Sequence, residues 1–300
     1  MNQYLGESAA LVTALFWTIT ALSFEAAGNK VGSLAVNLWR LVIAFFIFCL
    51  YSLAFRGMLL PFDAPGRVWL WLSASGLVGF VIGDLFLFEA FVLIGARIAM
   101  LIYSLVPPLT ALISFLILGE ILTPVQWTGM ALTVSGIAVV VLQRNAPTER
   151  AREHLFLGVG AAFLGALGQA VGLVLSRYGA PTYNAFQATQ IRSMAGIVGF
   201  ALFFTVVRRW RPVMEALSHK VAMRQISVGA FFGPFLGVSL GLFAAQNTET
   251  GVAATIIALV PVLMIPAAIL VLREKVTLRE ATGALLAVGG VALLFVDPAL

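Results

Sequence analysis

The sequence has little charge and almost no cysteine. Only 10% of its 300 residues are charged, and Cys49 is the single cysteine. One cysteine excludes an intramolecular disulfide and argues against a thiolate metal site, so we expect Cys49 to be a small core residue. Because 61% of the residues are hydrophobic and the mean hydropathy is +1.03, the composition excludes a soluble globular protein and predicts an integral membrane protein.

Motifs for nucleotide hydrolysis and for metal catalysis are also missing. No Gly-x-x-x-x-Gly-Lys-Ser/Thr loop occurs, so the chain is not expected to hydrolyse nucleotide itself. His154 and His219 fall in predicted links without a second ligand at helical spacing. We therefore expect neither an enzyme nor a bound cofactor or metal. The net charge of +5 lies mostly in links, which favours lipid headgroups over nucleic acid as a partner.

Apolar runs of near membrane-spanning length recur along the whole chain. The first run lacks a basic segment before it and is too long for a cleaved signal peptide. The polar link 143–154 divides the chain into halves, 1–145 and 146–300. We predict an all-α fold with ten transmembrane helices, at residues 8–27, 34–55, 68–91, 95–118, 124–142, 155–177, 184–207, 222–245, 250–272 and 277–296.

The two halves contain an internal repeat. Residues 97–142 and 251–296 align at an offset of about 154 with roughly 15 of 46 positions identical. Arg40 corresponds to Arg192 at a similar offset, and the small-xxx-small pair at Gly79 has its counterpart at Gly233. Two similar halves with five spans each must enter the membrane in opposite senses. The repeat therefore predicts two inverted five-helix repeats.

Proline interrupts corresponding spans in the two halves. Pro107 and Pro261 each remove one helical hydrogen bond, and such broken spans are the best sequence indication of a transporter's central site. Glu120 and Glu274 close the same spans. These four residues are candidate gating residues. Alternatively, each glutamate belongs to a helix stop and is followed by a helix cap such as Thr123.

Ionisable groups inside apolar spans are costly, so they are the first functional candidates. Asp84 is a candidate for binding a substrate ammonium or carrying a coupling proton, or else for a structural pair with an arginine. Arg40 and Arg192 are candidates for a substrate carboxylate, or else for a structural pair or interfacial snorkelling. Glu89 is a second proton-coupling candidate, or an interfacial residue. The remaining substrate-binding candidates are polar or aromatic side chains within the spans: Trp17, Asn37, Trp39, Tyr103, Ser104, Gln169, Gln187 and Gln246.

The repeated Leu-Val-Pro, the Gly-Glu-x-x-Thr-Pro at 119–124 and Trp127-x-Gly129 resemble the drug/metabolite transporter superfamily, specifically its ten-helix EamA type. The second copy departs from this pattern at Arg273, where the first copy has Gly119. The resemblance implies two inverted five-helix halves around a central cavity and export of small metabolites. It also implies a multi-pass protein of the bacterial inner membrane, most similar to the YddG-like amino-acid exporters.

The sequence therefore predicts a secondary active exporter of small metabolites, most of all amino acids, that works by alternating access. A cationic-drug or quaternary-ammonium efflux transporter is the alternative within transport, and a non-transporting scaffold or channel is the alternative outside it. About thirteen Lys and Arg lie in the links after the odd-numbered spans against about three in the others, which places both termini outside. The resemblance implies cytoplasmic termini. Both a monomer and a homo-oligomer fit the sequence.

Overall fold

The computed structural model describes residues 5–118, 123–142, 149–180, 183–247, 256–273 and 276–293. In this part of the chain the regular structure is helical, as the sequence predicts. The helices are α1 (Leu5–Val31), α2 (Ser33–Arg56), α3 (Gly66–Gly76), α4 (Asp84–Ile94), α5 (Ala96–Tyr103), α6 (Val106–Leu118), α7 (Pro124–Leu142), α8 (Glu149–Gly179), α9 (Ala185–Val207), α10 (Trp210–Glu215), α11 (Lys220–Ala230), α12 (Val238–Asn247), α13 (Val260–Ala267) and α14 (Leu278–Leu293).

Seven helical segments of the described part are long and apolar enough to cross a membrane. They are Leu5–Val31, Ser33–Arg56, Gly66–Ile94, Ala96–Ile113, Pro124–Leu142, Arg152–Ser176 and Ala185–Val207. Helical structure also covers 220–247, 260–272 and 278–293, which correspond to the three remaining predicted spans. The link predicted at 208–221 contains the short helix α10, which the sequence analysis missed. Its Val213 carbonyl accepts a hydrogen bond of 2.9 Å from the Trp39 indole.

The fourth and ninth predicted spans break at equivalent points. Leu105 N donates to Ile102 O at 3.0 Å, and 154 residues later Leu259 N donates to Ile256 O at 3.1 Å. A new helix, α6 or α13, then starts with Val-Pro in each copy. Proline fits the first turn of a helix because its missing N–H would have no partner there. Pro107 and Pro261 therefore begin the second part of a broken helix in both halves.

The third and eighth predicted spans each contain a π-helical segment at the same repeat position. These segments are Leu77–Gly83, between α3 and α4, and Phe231–Gly237, between α11 and α12. Gly79 lies against Gly172 of α8, where a Cβ would come within 3.8 Å of its Cα. Gly233 lies against Thr20 of α1. Short π-helical turns are rare and occur frequently at functional sites.

Helices α7 and α14 begin with the same cap. Thr123 N donates to Gln126 Oε1 at 2.9 Å, and Thr277 N donates to Glu280 Oε2 at 2.9 Å. In return, the threonine hydroxyls accept from Gln126 N and Glu280 N at 3.3 Å. This reciprocal capping box satisfies two otherwise free backbone donors in each copy.

Helices α7 and α14 also pack against each other, and they do so symmetrically. A Cβ at Gly136 would lie 2.6 Å from Gly283 O, and a Cβ at Gly290 would lie 2.6 Å from Gly129 O. Between these contacts, Thr133 Oγ1 donates to Ala287 O at 3.3 Å. As residue numbers rise along α7 they fall along the contacting part of α14, so the two equivalent helices run antiparallel.

Candidate functional site

Three charged side chains from different helices meet in the interior of the protein. Arg40 on α2 and Asp84 at the start of α4 form an ion pair, and their exposed fractions are 4% and 5%. Arg192 on α9 is 9% exposed. Each arginine is the eighth residue of its helix, about 10 Å along the axis from the first residue. Asn37, one turn before Arg40, donates its amide to the Asp84 carbonyl at 3.1 Å.

The guanidinium groups of both arginines lie over phenylalanine rings that the sequence analysis did not select. The Arg192 guanidinium carbon lies 4.4 Å from the centroid of the Phe80 ring, and that of Arg40 lies 4.7 Å from the centroid of Phe88. Arg40 is also 5.6 Å from Phe80. Such cation–π contacts are stronger where the cation is removed from water. A signal existed in the sequence, because Phe80, Asp84 and Phe88 are spaced by four and share one helix face.

Arg192 differs from Arg40 in lacking a carboxylate of its own. Its Nε and Nη2 atoms are buried and have no hydrogen-bond partner among the described residues. The position that corresponds to Asp84 in the second half, 154 residues later, is Val238. The three buried charges therefore comprise two cations and one anion. Arg192 is the cation without a carboxylate partner, because the second repeat has Val238 where the first has Asp84.

Gln169 of α8 lies close to Arg192, across Gly79. A Cβ at Gly79 would be 2.7 Å from Gln169 Oε1 and 3.2 Å from Arg192 Nη2. Gln169 Oε1 is buried and without a hydrogen-bond partner in the described part, like Arg192 Nη2. The Gln169 amide lies beside the Tyr103 hydroxyl. We call Asn37, Arg40, Asp84, Gln169 and Arg192, with Tyr103, the buried polar cluster.

The other predicted substrate-binding residues lie outside this cluster or have local partners. The Trp39 indole donates to Val213, as described above. Trp17 lies beside Gly237, where a Cβ would be 3.4 Å from its Nε1. Ser104 donates to Leu101 O at 2.5 Å in its own turn. Gln187 is buried on α9. The side chain of Gln246 is outside the described part of the structure.

Glu89, the second proton-coupling candidate, is exposed and accepts a hydrogen bond of 2.5 Å from Ser33 Oγ at the start of α2. It lies more than one turn beyond Asp84 along α4. No group of three or more His, Cys, Asp or Glu side chains that would hold a metal ion occurs among the described residues.

The predicted gating residues are only partly visible. Pro107 is half-buried and Pro261 is buried, whereas Glu120 and Glu274 lie outside the described residues. The structure shows an ion pair that the sequence analysis did not identify. Arg97 Nη1 at the start of α5 lies 3.2 Å from Glu280 Oε2 at the start of α14. Both side chains line a cavity of about 10 Å³ beside Pro261 and Ile265, which has room for about one water.

Comparison with known proteins agrees with this architecture. Residues 4–142 and 156–296 each match the EamA-like transporter family, so the family unit occurs twice. One solved crystal structure superposes with a TM-score of 0.61 at 22% sequence identity, covering 97% of this chain and 96% of that chain. No sequence among the curated proteins matches this chain. At this identity the solved structure shows a shared fold only.

The family match covers most of the chain, and it agrees with the membrane-spanning helices and the twofold repeat. This chain is a multi-pass membrane protein and belongs to the EamA-like transporter family of the drug/metabolite transporter superfamily, whose members transport small molecules.

Proposed function

We propose that the protein is a secondary active exporter of small metabolites of the amino-acid class, similar to the YddG-like exporters of the bacterial inner membrane. The observation that carries this proposal is the buried polar cluster. Arg40, Asp84 and Arg192 lie in segments that are otherwise apolar, where charged groups are costly. Such groups in membrane proteins typically mark a substrate or ion pathway.

The proposal includes ten membrane spans arranged as two inverted repeats. The 154-residue offset relates the helix breaks, the π-helical segments and the capping boxes of the two halves. The antiparallel contact between α7 and α14 supports opposite orientations, because these helices occupy equivalent positions in the two repeats. In such transporters the binding site lies between the repeats, near the middle of the membrane.

The Arg97–Glu280 ion pair is the gate that we propose for one end of the pathway. It joins the first part of a broken helix to the start of α14, next to Pro261. The corresponding positions in the other repeat are Gly251 and Gln126, which cannot form an ion pair. The two ends of the pathway would therefore be closed by different interactions. Glu120 and Glu274 remain predicted gating residues.

Transport by alternating access requires that the two halves rock about the cluster, so that it opens to one side at a time. The chain has no nucleotide-binding loop, so the energy would come from the solute gradient or from a proton. Asp84 is one proton-coupling candidate, because separation from the Arg40 guanidinium would favour the protonated form of its carboxyl group. Glu89, exposed on α4, is the other proton-coupling candidate.

Efflux of cationic drugs fits the site less well. A cationic solute needs an unengaged carboxylate, but Asp84 is paired with Arg40 and a second cation, Arg192, lies nearby. The cluster would therefore repel a solute whose only charge is positive. A channel or scaffold would have no need for a cluster of buried charges such as this one.

Counterflow into proteoliposomes tests the proposal. Vesicles loaded with one unlabelled solute are diluted into the labelled solute, with a panel of amino acids and cationic dyes. An exporter of the proposed class accumulates labelled amino acid transiently, and its rate saturates with concentration. A rate that rises without saturation, with no counterflow, would indicate a channel. The absence of exchange for all solutes would reject the exporter assignment.

A further inference from the structure

We propose that Arg192 binds the carboxylate of the transported solute, so that the cargo of this protein must carry a carboxylate. The inference rests on the proposed transport function and names the chemical class of the solute. It assigns the role to one of two arginines that are equivalent in the sequence repeat.

The first argument is the unmet hydrogen-bonding capacity of Arg192. A guanidinium has five N–H donors, and it is always charged. In the described part of the chain the Nε and Nη2 atoms of Arg192 are buried and have no hydrogen-bond partner. A buried charge without a hydrogen-bonded partner is strongly unfavourable. Nε and one Nη atom form the edge that binds a carboxylate through two parallel hydrogen bonds.

The second argument is that Arg40 already has a carboxylate partner, although its buried Nε also lacks a hydrogen-bond partner among the described residues. Its Nη2 donates to Asp84 Oδ2, and the Asp84 carbonyl is held in turn by Asn37. If a solute carboxylate displaced Asp84 from Arg40, it would leave the aspartate buried without its partner. At Arg192 nothing has to be displaced. The missing partner corresponds to Val238, the residue that replaces Asp84 in the second repeat.

The third argument is the close approach of Gln169 and Arg192 at Gly79. The unpartnered Gln169 Oε1 and Arg192 Nη2 both lie within 3.2 Å of the position that a Cβ at Gly79 would occupy. One atom accepts a hydrogen bond and the other donates one. A solute that has a carboxylate and a nearby N–H or O–H group would satisfy both. An interfacial explanation for Arg192 fails, because the side chain is buried and its guanidinium lies over Phe80.

Competition in the counterflow assay tests the inference. For each amino acid that exchanges, the free acid is compared with its amide and with the amine that lacks the carboxylate. Because hydrogen bonds to charged groups contribute about 1.5–3 kcal/mol, the acid should compete at least about tenfold better than the amide. Equal competition would overturn the inference while leaving the exporter function intact.

Arg192→Gln and Arg192→Lys should reduce or abolish this preference for the acid. Arg152→Gln, which changes an exposed arginine of α8, is the matched control and should retain it. Arg192→Gln should melt at or above the temperature of the unchanged protein, because it removes a buried charge that lacks a hydrogen-bonded partner. A variant that retains the full preference, or one that fails to fold, would contradict the assignment.

Two further measurements separate the remaining explanations. If Arg192 held an inorganic anion instead, replacing chloride by sulfate would slow the exchange of acid and amide alike, and the proposal would be wrong. If no solute exchanges at all, thermal shifts still test the site. Free carboxylic acids should then raise the melting temperature of the unchanged protein but not that of Arg192→Gln, and the amides should raise neither. A shift that persists in the variant would overturn the proposal.

Discussion

The Arg40–Asp84 ion pair gives the clearest prediction about stability. Asp84→Asn removes one charge and leaves Arg40 buried without its partner, which typically costs about 3–5 kcal/mol. The free energy of unfolding of native proteins is roughly 5–15 kcal/mol, so this loss would be a large part of the total. The hydrogen bond from Asn37 goes to the backbone of residue 84, so it survives the substitution. The measured loss therefore reports the charge pair.

A double-mutant cycle separates the pair from its surroundings. Arg40→Gln should also be destabilising, whereas Arg40→Gln with Asp84→Asn removes both charges and should recover most of the loss. The assay is unfolding by SDS in mixed micelles, followed by the fluorescence of the six tryptophans. A coupling energy below about 1 kcal/mol would mean that the effects of the two single substitutions simply add, and it would refute the argument that Arg40 and Asp84 stabilise each other as a buried pair.

An exposed ion pair of the same chemistry provides the control. Arg56 Nη2 and Asp63 Oδ2 lie 2.7 Å apart, with side chains 27% and 41% exposed. The hydrogen bond from Arg56 lowers the pKa of Asp63, so this pair is ionised at neutral pH. Exposed pairs contribute about 0–1 kcal/mol. Arg56→Gln with Asp63→Asn should therefore show little coupling.

Two further predictions concern the contact at Gly79 within the cluster and the gate. Gly79→Ala places a methyl group between the unpartnered amide oxygen and guanidinium, which should weaken solute binding by about 1 kcal/mol, or about fivefold in apparent KM. Gly160→Ala, where a Cβ would meet nothing within 4 Å, should leave transport unchanged, and equal effects of the two would reject this explanation. Glu280→Gln keeps the helix cap, as Gln126 does in the other repeat, but removes the charge that pairs with Arg97. It should favour opening at that end, seen as faster exchange and lower melting temperature, and an unchanged transport cycle would exclude the pair as a gate.

Much of the helical architecture follows from the sequence, because long apolar runs have few other stable structures in a membrane. The helix breaks before Pro107 and Pro261 were predictable for the same local reason, since proline lacks the N–H that an unbroken helix needs. The short helix at Trp210–Glu215 was missed because its residues resemble those of a polar link. The π-helical segments were not predicted, because each is a short i→i+5 interruption within a long apolar run.

The sequence predicted which charged residues belong to the candidate site, but it did not predict which of them pair with each other. Asp84 and the two arginines stand out in apolar spans, yet the sequence repeat makes Arg40 and Arg192 equivalent. Only the fold shows that Asp84 pairs with Arg40. The same reason explains why Arg97 and Glu280 were not paired in the sequence analysis, since their contact depends on how distant helices pack.

Alternating exposure of the buried polar cluster is the central claim, and thiol labelling tests it without knowledge of the solute. Replacing Cys49, the single cysteine, by alanine gives a background for Gln169→Cys. A membrane-impermeant thiol reagent is then applied from each side of sealed, oriented vesicles. The account predicts that Gln169→Cys is labelled from both sides, and that a transported solute slows the labelling. No labelling from either side, or labelling from one side only under all conditions, would contradict it.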